Sequence, residues 1–247
     1  MPAEKKYLLL QIRHNPEVCA EEYQCFLQHC GLAEAQLDVF NIYQHTEFSA
    51  EILQGYSALL VGGASEANVL EPEKYAFVTP AVALLKYCAA VSFPVFASCY
   101  GFQLAVLALD GAITDNSDCQ ETGTIPLTLS AAAATDPIFT GLPDQFKVVS
   151  VHQQSAVQLP AGCTLLASTT KCLHAFRLTD KPFWAFQFHP EVNRKILIER
   201  LTRYQEYYTK DARGLNEVLS SVVETPESNS LPQRFIQYLQ AEPTVTI

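Results

Sequence analysis

The stretch Pro94-Val95-Phe96-Ala97-Ser98-Cys99-Tyr100-Gly101-Phe102-Gln103 decides how this chain folds. Val95-Phe96-Ala97 is a short apolar run suited to a buried strand, Ser98-Cys99-Tyr100-Gly101 breaks it, and Phe102 to Leu109 continues as a helical pattern. Strand, tight turn and helix in that order form a nucleophile elbow, which lifts the side chain at the turn, here Cys99, above a sheet. The amino end of the following helix supplies partial positive charge and free N–H groups, and both favour a thiolate. Gly101 suits the turn because it has no β-carbon and lets the helix pack closely. From the elbow alone, a buried structural cysteine accounts for the pattern equally well.

On the amino-terminal side, Tyr7 to Ile12 reads as a buried strand, Asn15-Pro16-Glu17 opens a helical pattern that stops at Gly31, and Leu37 to Phe40 reads as a second strand. Ala58-Leu59-Leu60-Val61 makes a third, ending abruptly at Gly62-Gly63, and a helix is expected over Glu73 to Ala90. This alternation predicts an α/β fold with three layers, α/β/α, around a mainly parallel central sheet. Functional groups then belong where strand carboxyl ends meet helix amino ends. The second half is richer in strands, at Ile125 to Leu129, Lys147 to Val151, Thr164 to Ala167, Leu173 to Leu178 and Phe183 to Phe188, so part of the sheet is expected to be antiparallel. Arg194 to Tyr208, Ala212 to Val223 and Leu231 to Leu239 carry helical patterns, with the polar stretch Glu224 to Ser230 as a break between the last two. Ala131 to Ala134 reads as a turn or sheet edge.

A chain of 247 residues with 49% hydrophobic residues can bury a sizeable core. Its formal net charge of −10 argues against nucleic acid and anionic membrane surfaces as partners, since both reward clustered Lys and Arg. The apolar runs fall far short of the roughly 20 residues of a membrane helix, and the run after Lys5-Lys6 ends at Gln11 and Arg13, too soon for a secretory signal. A cytoplasmic location is expected, and with it reduced thiols for the eight cysteines. Cys19, Cys25 and Cys30 lack the C-x2-C pairing typical of zinc sites, so neither a metal nor a cofactor is expected.

Phe183-Trp184-Ala185-Phe186-Gln187-Phe188 delivers His189 to a strand end, and Glu191 follows two residues later. Pro190 fixes its own φ and lacks an N–H, which favours a strand stop and a carboxylate turned back towards the imidazole. A carboxylate so placed fixes the tautomer of the imidazole and stabilises its cation. On its own, His-Pro-Glu is more often a surface turn.

The segments around Cys99 and over Phe186-Gln187-Phe188-His189-Pro190-Glu191 resemble the two signatures of class I glutamine amidotransferases, and Gly62-Gly63 resembles the third. The order is also that of the family. The resemblance covers about residues 7 to 205 and is greatest to stand-alone relatives of the GMP synthase amidotransferase domain. It implies a flavodoxin-like sheet, an amidotransferase domain over residues 1–205, and a C-terminal helical extension, 206–247, packed on the same domain. It also implies that Cys99 attacks the side-chain carbonyl of glutamine or another γ-glutamyl compound, that His189 moves the proton, and that Glu191 orients His189. The oxyanion would be held by the N–H groups of Gly63 and Tyr100, and Gln103 and His152 would contact substrate. Two departures stand out. Ala97 occupies the elbow's usual first glycine position, and Ala64-Ser65 follows the glycine pair where many relatives have glycine or proline. Three functions follow from the pattern: a glutaminase subunit serving a separate synthase, a stand-alone γ-glutamyl hydrolase, or an inactive binding module. About 40 residues after the resemblance leave no room for a synthase domain, and the cysteine and histidine that an inactive module usually loses are both present.

Overall fold

The computed structural model describes residues 5–204 and 212–241. Asn15 starts α1 (Pro16–Cys30) by accepting the N–H groups of Glu17 and Val18, Pro16 occupies a position where a missing N–H costs nothing, and Gly31, at φ 66°, closes the helix. β1 (Tyr7–Gln11), β2 (Leu37–Asn41), β3 (Ala58–Val61) and β4 (Val95–Ser98) lie parallel, with a helix between β1 and β2 and between β3 and β4 and a 3-10 turn, Ala50–Leu53, between β2 and β3. The remaining strands are β5 (Thr114–Asp115), β6 (Glu121–Leu129), β7 (Gln145–His152), β8 (Gln154–Ser155), β9 (Cys163–Ser168), β10 (Leu173–Leu178) and β11 (Phe183–Phe186). Nine of the eleven strands described form one sheet in the order β2-β1-β3-β4-β11-β10-β9-β6-β7, parallel as far as β11 and antiparallel beyond it. β5 and β8 pair separately.

Alternation along β1 divides the core between the two faces of the sheet. Leu8 and Leu10 pack with α2 (Val78–Val91) and α3 (Tyr100–Ala108), whereas Tyr7 and Leu9 pack with Phe26 of α1 and Phe235 of α7 (Leu231–Ala241). Phe235 is fully buried, with ring centroids 5.4 Å from Phe96 and 5.8 Å from Trp184. A third cluster joins α4 (Arg194–Arg203) and α5 (Ala212–Ser221) to Val149 of β7.

Several boundaries differ from the sequence reading: α3 begins two residues earlier, at Tyr100, β6 four residues earlier, at Glu121, and β7 two residues earlier, at Gln145. α2 begins at Val78, not Glu73, because Glu71 to Phe77 form turns in which Tyr75 and Phe77 join an aromatic cluster with Tyr43. β11 ends at Phe186 because the next amides leave β4, that of Gln187 bonding to His174 O and that of His189 to Val149 O. The polar break contains one helical turn, α6 (Pro226–Asn229). The helix read to Tyr208 ends at Arg203, capped by Tyr204, whose N–H donates to Arg200 O, and residues 205–208 lie outside the described residues. Ala131–Thr135 is a 3-10 turn.

Candidate active site

β4 lies between β3 and β11, so whatever leaves its carboxyl end meets the loops that follow both neighbours. Cys99 leaves it at φ 50°, ψ −96°, a backbone conformation that costs a non-glycine residue about 1–3 kcal/mol. The turn is held from both sides. Cys99 N–H donates to Phe186 O at 2.6 Å and Gly101 N–H donates to Gly62 O at 3.2 Å. A β-carbon on Gly101 would stand 2.9 Å from Val61 Cγ1 and 3.0 Å from Val61 O, so glycine is required by contact with β3. Ala97 is fully buried opposite Val61 and Ala185, and α3 still forms directly after the elbow.

The register Phe186 to Ser98 carries His189 and Glu191 to the same end of the sheet. His189 Nδ1–H donates to Glu191 Oε1 at 2.7 Å, Ser98 Oγ–H donates to Glu191 Oε2 at 2.6 Å, and Cys99 is the imidazole's other electrostatic neighbour. Glu191 is completely buried and His189 nearly so. Burial works to lower the His189 pKa, but Cys99 and Glu191 outweigh it and hold the imidazolium up to about 9. Burial likewise works to raise Glu191, and His189, Arg200 and Ser98 together hold it down at about 2. Gln187 Nε2 lies 3.9 Å from Cys99 Sγ, and the thiol lies 3.7 Å from Val151 O.

The two expected oxyanion donors differ. Tyr100 opens α3, so its N–H is one of the first-turn amides without an intrahelical acceptor. Gly63 N–H faces Glu22 Oε1 at 3.3 Å, and that carboxylate also takes Arg13 Nε at 2.9 Å in a buried ion pair. The donor at Gly63 is therefore engaged. A β-carbon there would stand 2.8 Å from His189 Cε1 and 2.9 Å from Arg13 Nη2, which explains the glycine. Ser65, one of the departures, accepts Arg13 Nη1 at 2.8 Å.

Cys99, Tyr100, Gln103 and His152 line one cavity of about 220 Å³, whose mouth carries Glu66, Glu71 and Lys74. Gln103 is buried, not on an exposed helix face, and its Nε2 donates to Gln154 O at 2.9 Å. His152 reaches the wall of the cavity, yet its Nδ1 lies 3.2 Å from Gln154 O and its Nε2 lies 3.3 Å from Glu121 Oε2. Sequence reading missed Ser98 as the second support of Glu191, the Arg13–Glu22 pair beneath the glycine loop, and Asn229 of α6. Asn229 Nδ2 donates to the carbonyls of Pro190 and Val192, 2.9 Å each, and so holds the loop that carries Glu191. Ser98 adjoins the quoted cysteine and carried a signal, but the other three come from remote segments.

The fold and this site define a class of protein, and comparison with known proteins agrees with it. The family model for class I glutamine amidotransferase matches residues 24–201, and the chain belongs to that family. It is similar to the glutamine-hydrolysing GMP synthases of Streptomyces avermitilis, 39% identical over 100 residues, and Malacoplasma penetrans, 30% identical over 125. Those matches cover 40% and 50% of this chain but only 18% and 24% of the relatives. Among solved structures, a glutamine amidotransferase from Thermotoga maritima superposes with a TM-score of 0.75 at 17% identity, covering 97% of this chain and 100% of the other. A glutamine amidotransferase from Methylobacillus flagellatus gives 0.68 at 18% identity, with 97% and 96% covered. Among the described residues, no helix is long and apolar enough to cross a membrane.

Proposed function

We propose that this chain hydrolyses a γ-glutamyl amide, glutamine foremost, through a thioester on Cys99. The observation that carries this reading is the buried series Ser98–Glu191–His189, with its 2.6 and 2.7 Å links, set beside Cys99 at an elbow that opens into a cavity. The Cys99 thiolate adds to the side-chain carbonyl carbon and the carbonyl electron pair moves to oxygen. Tyr100 N–H meets that oxyanion, a contact worth about 2.7–4 kcal/mol. The His189 imidazolium gives its proton to the nitrogen, and the C–N bond breaks as ammonia leaves. Neutral His189 then takes a proton from water, whose oxygen adds to the thioester. The C–S bond breaks, and glutamate and the thiolate are released. Glu191 holds the imidazole tautomer throughout. Gly63 serves as the second donor once its N–H turns from Glu22.

Substrate identity is supported by the mouth of the cavity. Lys74, paired with Glu71 at 3.3 Å, and Glu66 line it and offer both signs of charge, as the zwitterionic head of a γ-glutamyl group requires. Gln103 and the wall at His152 border the acyl chain. Ammonia released here suits a separate synthase as partner, an idea supported by the synthase names of the relatives. The test is a panel of glutamine, γ-glutamyl peptides and conjugates, with ammonia or amine release followed directly for the purified protein and Cys99→Ala. Release from glutamine that vanishes in the variant is expected, and an unchanged rate would sink the mechanism.

A further inference from the structure

Behind the cavity wall, Glu121 of β6, His152 at the end of β7, and Cys172 and His174 at the start of β10 turn four donor atoms towards one point. Cys172 Sγ lies 3.5 Å from His174 Nε2, 3.5 Å from Glu121 Oε2 and 4.0 Å from His152 Nε2. Glu121 Oε2 lies 3.3 Å from His152 Nε2 and 2.6 Å from His174 Nε2, and all four donors fall within 4.8 Å of one another. We propose that these four side chains bind one zinc ion.

Geometry argues for it first. Zn–S near 2.3 Å and Zn–N or Zn–O near 2.0–2.1 Å at tetrahedral angles place donor atoms about 3.3–3.6 Å apart. Three of the six separations, 3.5, 3.5 and 3.3 Å, already lie in that range. The His174–Glu121 hydrogen bond would open by about 0.7 Å, Cys172 and His152 would close by about 0.4 Å, and His152 and His174, whose donor atoms lie within 4.8 Å, would draw together as well. Charge agrees: one thiolate and one carboxylate balance a divalent ion, leaving a neutral cluster where burial penalises net charge. Two imidazoles and a sulfur select zinc over magnesium or calcium, which take oxygen ligands. The contact of His152 Nδ1 with Gln154 O, at 3.2 Å, is the kind that fixes a metal-binding tautomer. Glu121 also borders a surface groove with Lys171, which gives the ion a way in.

Four protein donors leave no position for substrate or water, so the ion is structural. It ties β6, β7 and β10 together immediately behind Val151, whose carbonyl touches Cys99 Sγ. The proposal does not depend on the reaction assigned to Cys99. Its test begins with the full chain stripped of metal by a chelator and titrated with Co²⁺. One equivalent is expected to give tetrahedral visible bands and a near-ultraviolet thiolate charge-transfer band, both removed by Zn²⁺. Zn²⁺ should also raise the melting temperature, because it binds the folded state. Cys172→Ser should abolish the charge-transfer band and Cys99→Ser should keep it. Glu121→Gln should weaken Co²⁺ binding beyond the 10–100-fold typical of an outer-shell partner. Absence of the bands in the wild type, or a band that follows Cys99 instead, overturns the proposal in favour of a purely hydrogen-bonded cluster. The wild-type titration decides even where a variant fails to fold.

Discussion

Replacing Glu191 by Gln removes a charge from the site and little else. One amide oxygen can still accept from His189 Nδ1–H, and the amide NH₂ can donate to Ser98 Oγ, so both short contacts, 2.7 and 2.6 Å, keep a partner. His189 lies at about 9 in place of 6.5, which corresponds to about 3 kcal/mol of net stabilisation of the imidazolium. Burial opposes Cys99 and Glu191, so their gross contributions exceed that net; the substitution exchanges a charged acceptor for a neutral one, a difference of about 1–2 kcal/mol. The expected result is a fall of about 10–30-fold in kcat for glutamine hydrolysis, with KM within about twofold. The imidazole's titration in the free enzyme should also move down by about one pH unit. Steady-state ammonia release between pH 5.5 and 9.5, with imidazole protonation followed by NMR, measures both. A variant with wild-type kcat and an unmoved imidazole titration would refute the role given to Glu191.

Gly101→Ala forces a methyl group against Val61, whose carbonyl cannot yield; a loss of about 1–3 kcal/mol in urea unfolding is expected, with a lower kcat as α3 and Cys99 shift. Asn229→Ala leaves the Pro190 and Val192 carbonyls without their donor and should cost about 1–3 kcal/mol, read by urea unfolding, together with a loss of kcat from a looser Glu191. Phe235→Ala should cost about 3–5 kcal/mol on the same assay, since the ring fills the core between Phe96 and Trp184. His189 is raised on folding, so its contribution to stability is full below pH 6.5 and is lost as pH rises through about 9. Glu191 is depressed, so its contribution is present above 4.5 and is lost as pH falls through about 2. Melting temperatures should therefore decline between pH 7 and 10 more steeply in the wild type than in His189→Gln, and equal slopes would count against the ion pair.

Elements whose signals are local were legible in the sequence. Asn15, Pro16 and Gly31 announce both ends of α1, and the apolar run before Gly62-Gly63 gives β3 residue for residue. The elbow was legible for the same reason, because strand, turn and helix are contiguous around Cys99. Glu73 to Ala90 misled because its helical pattern is intrinsic, whereas Phe77, on which Tyr75 packs, is committed to contact with distant Tyr43. The state of Gly63 was not legible either, since Glu22 lies on another helix and no spacing ties the two. Glu121, His152, Cys172 and His174 form no short motif: antiparallel pairing of β6 with β7, and the path of β10, bring them together. Zinc motifs advertise themselves only where ligands share a turn.

The hold of Asn229 on the carbonyls of Pro190 and Val192 also sets an order of assembly. Thirty-eight residues separate Glu191 from Asn229, so the ribosome needs about 2–8 s to add the second after the first. During that interval the elbow, His189 and Glu191 have all been synthesised, but the loop that carries the acid has no clasp. Even after Asn229 emerges, Leu231, Phe235 and Ile236 must dock before α7 anchors that segment to the core. On the proposed mechanism, the support of Glu191 is complete only once the carboxyl-terminal helices have docked, and a chain clipped before Asn229 should lose it.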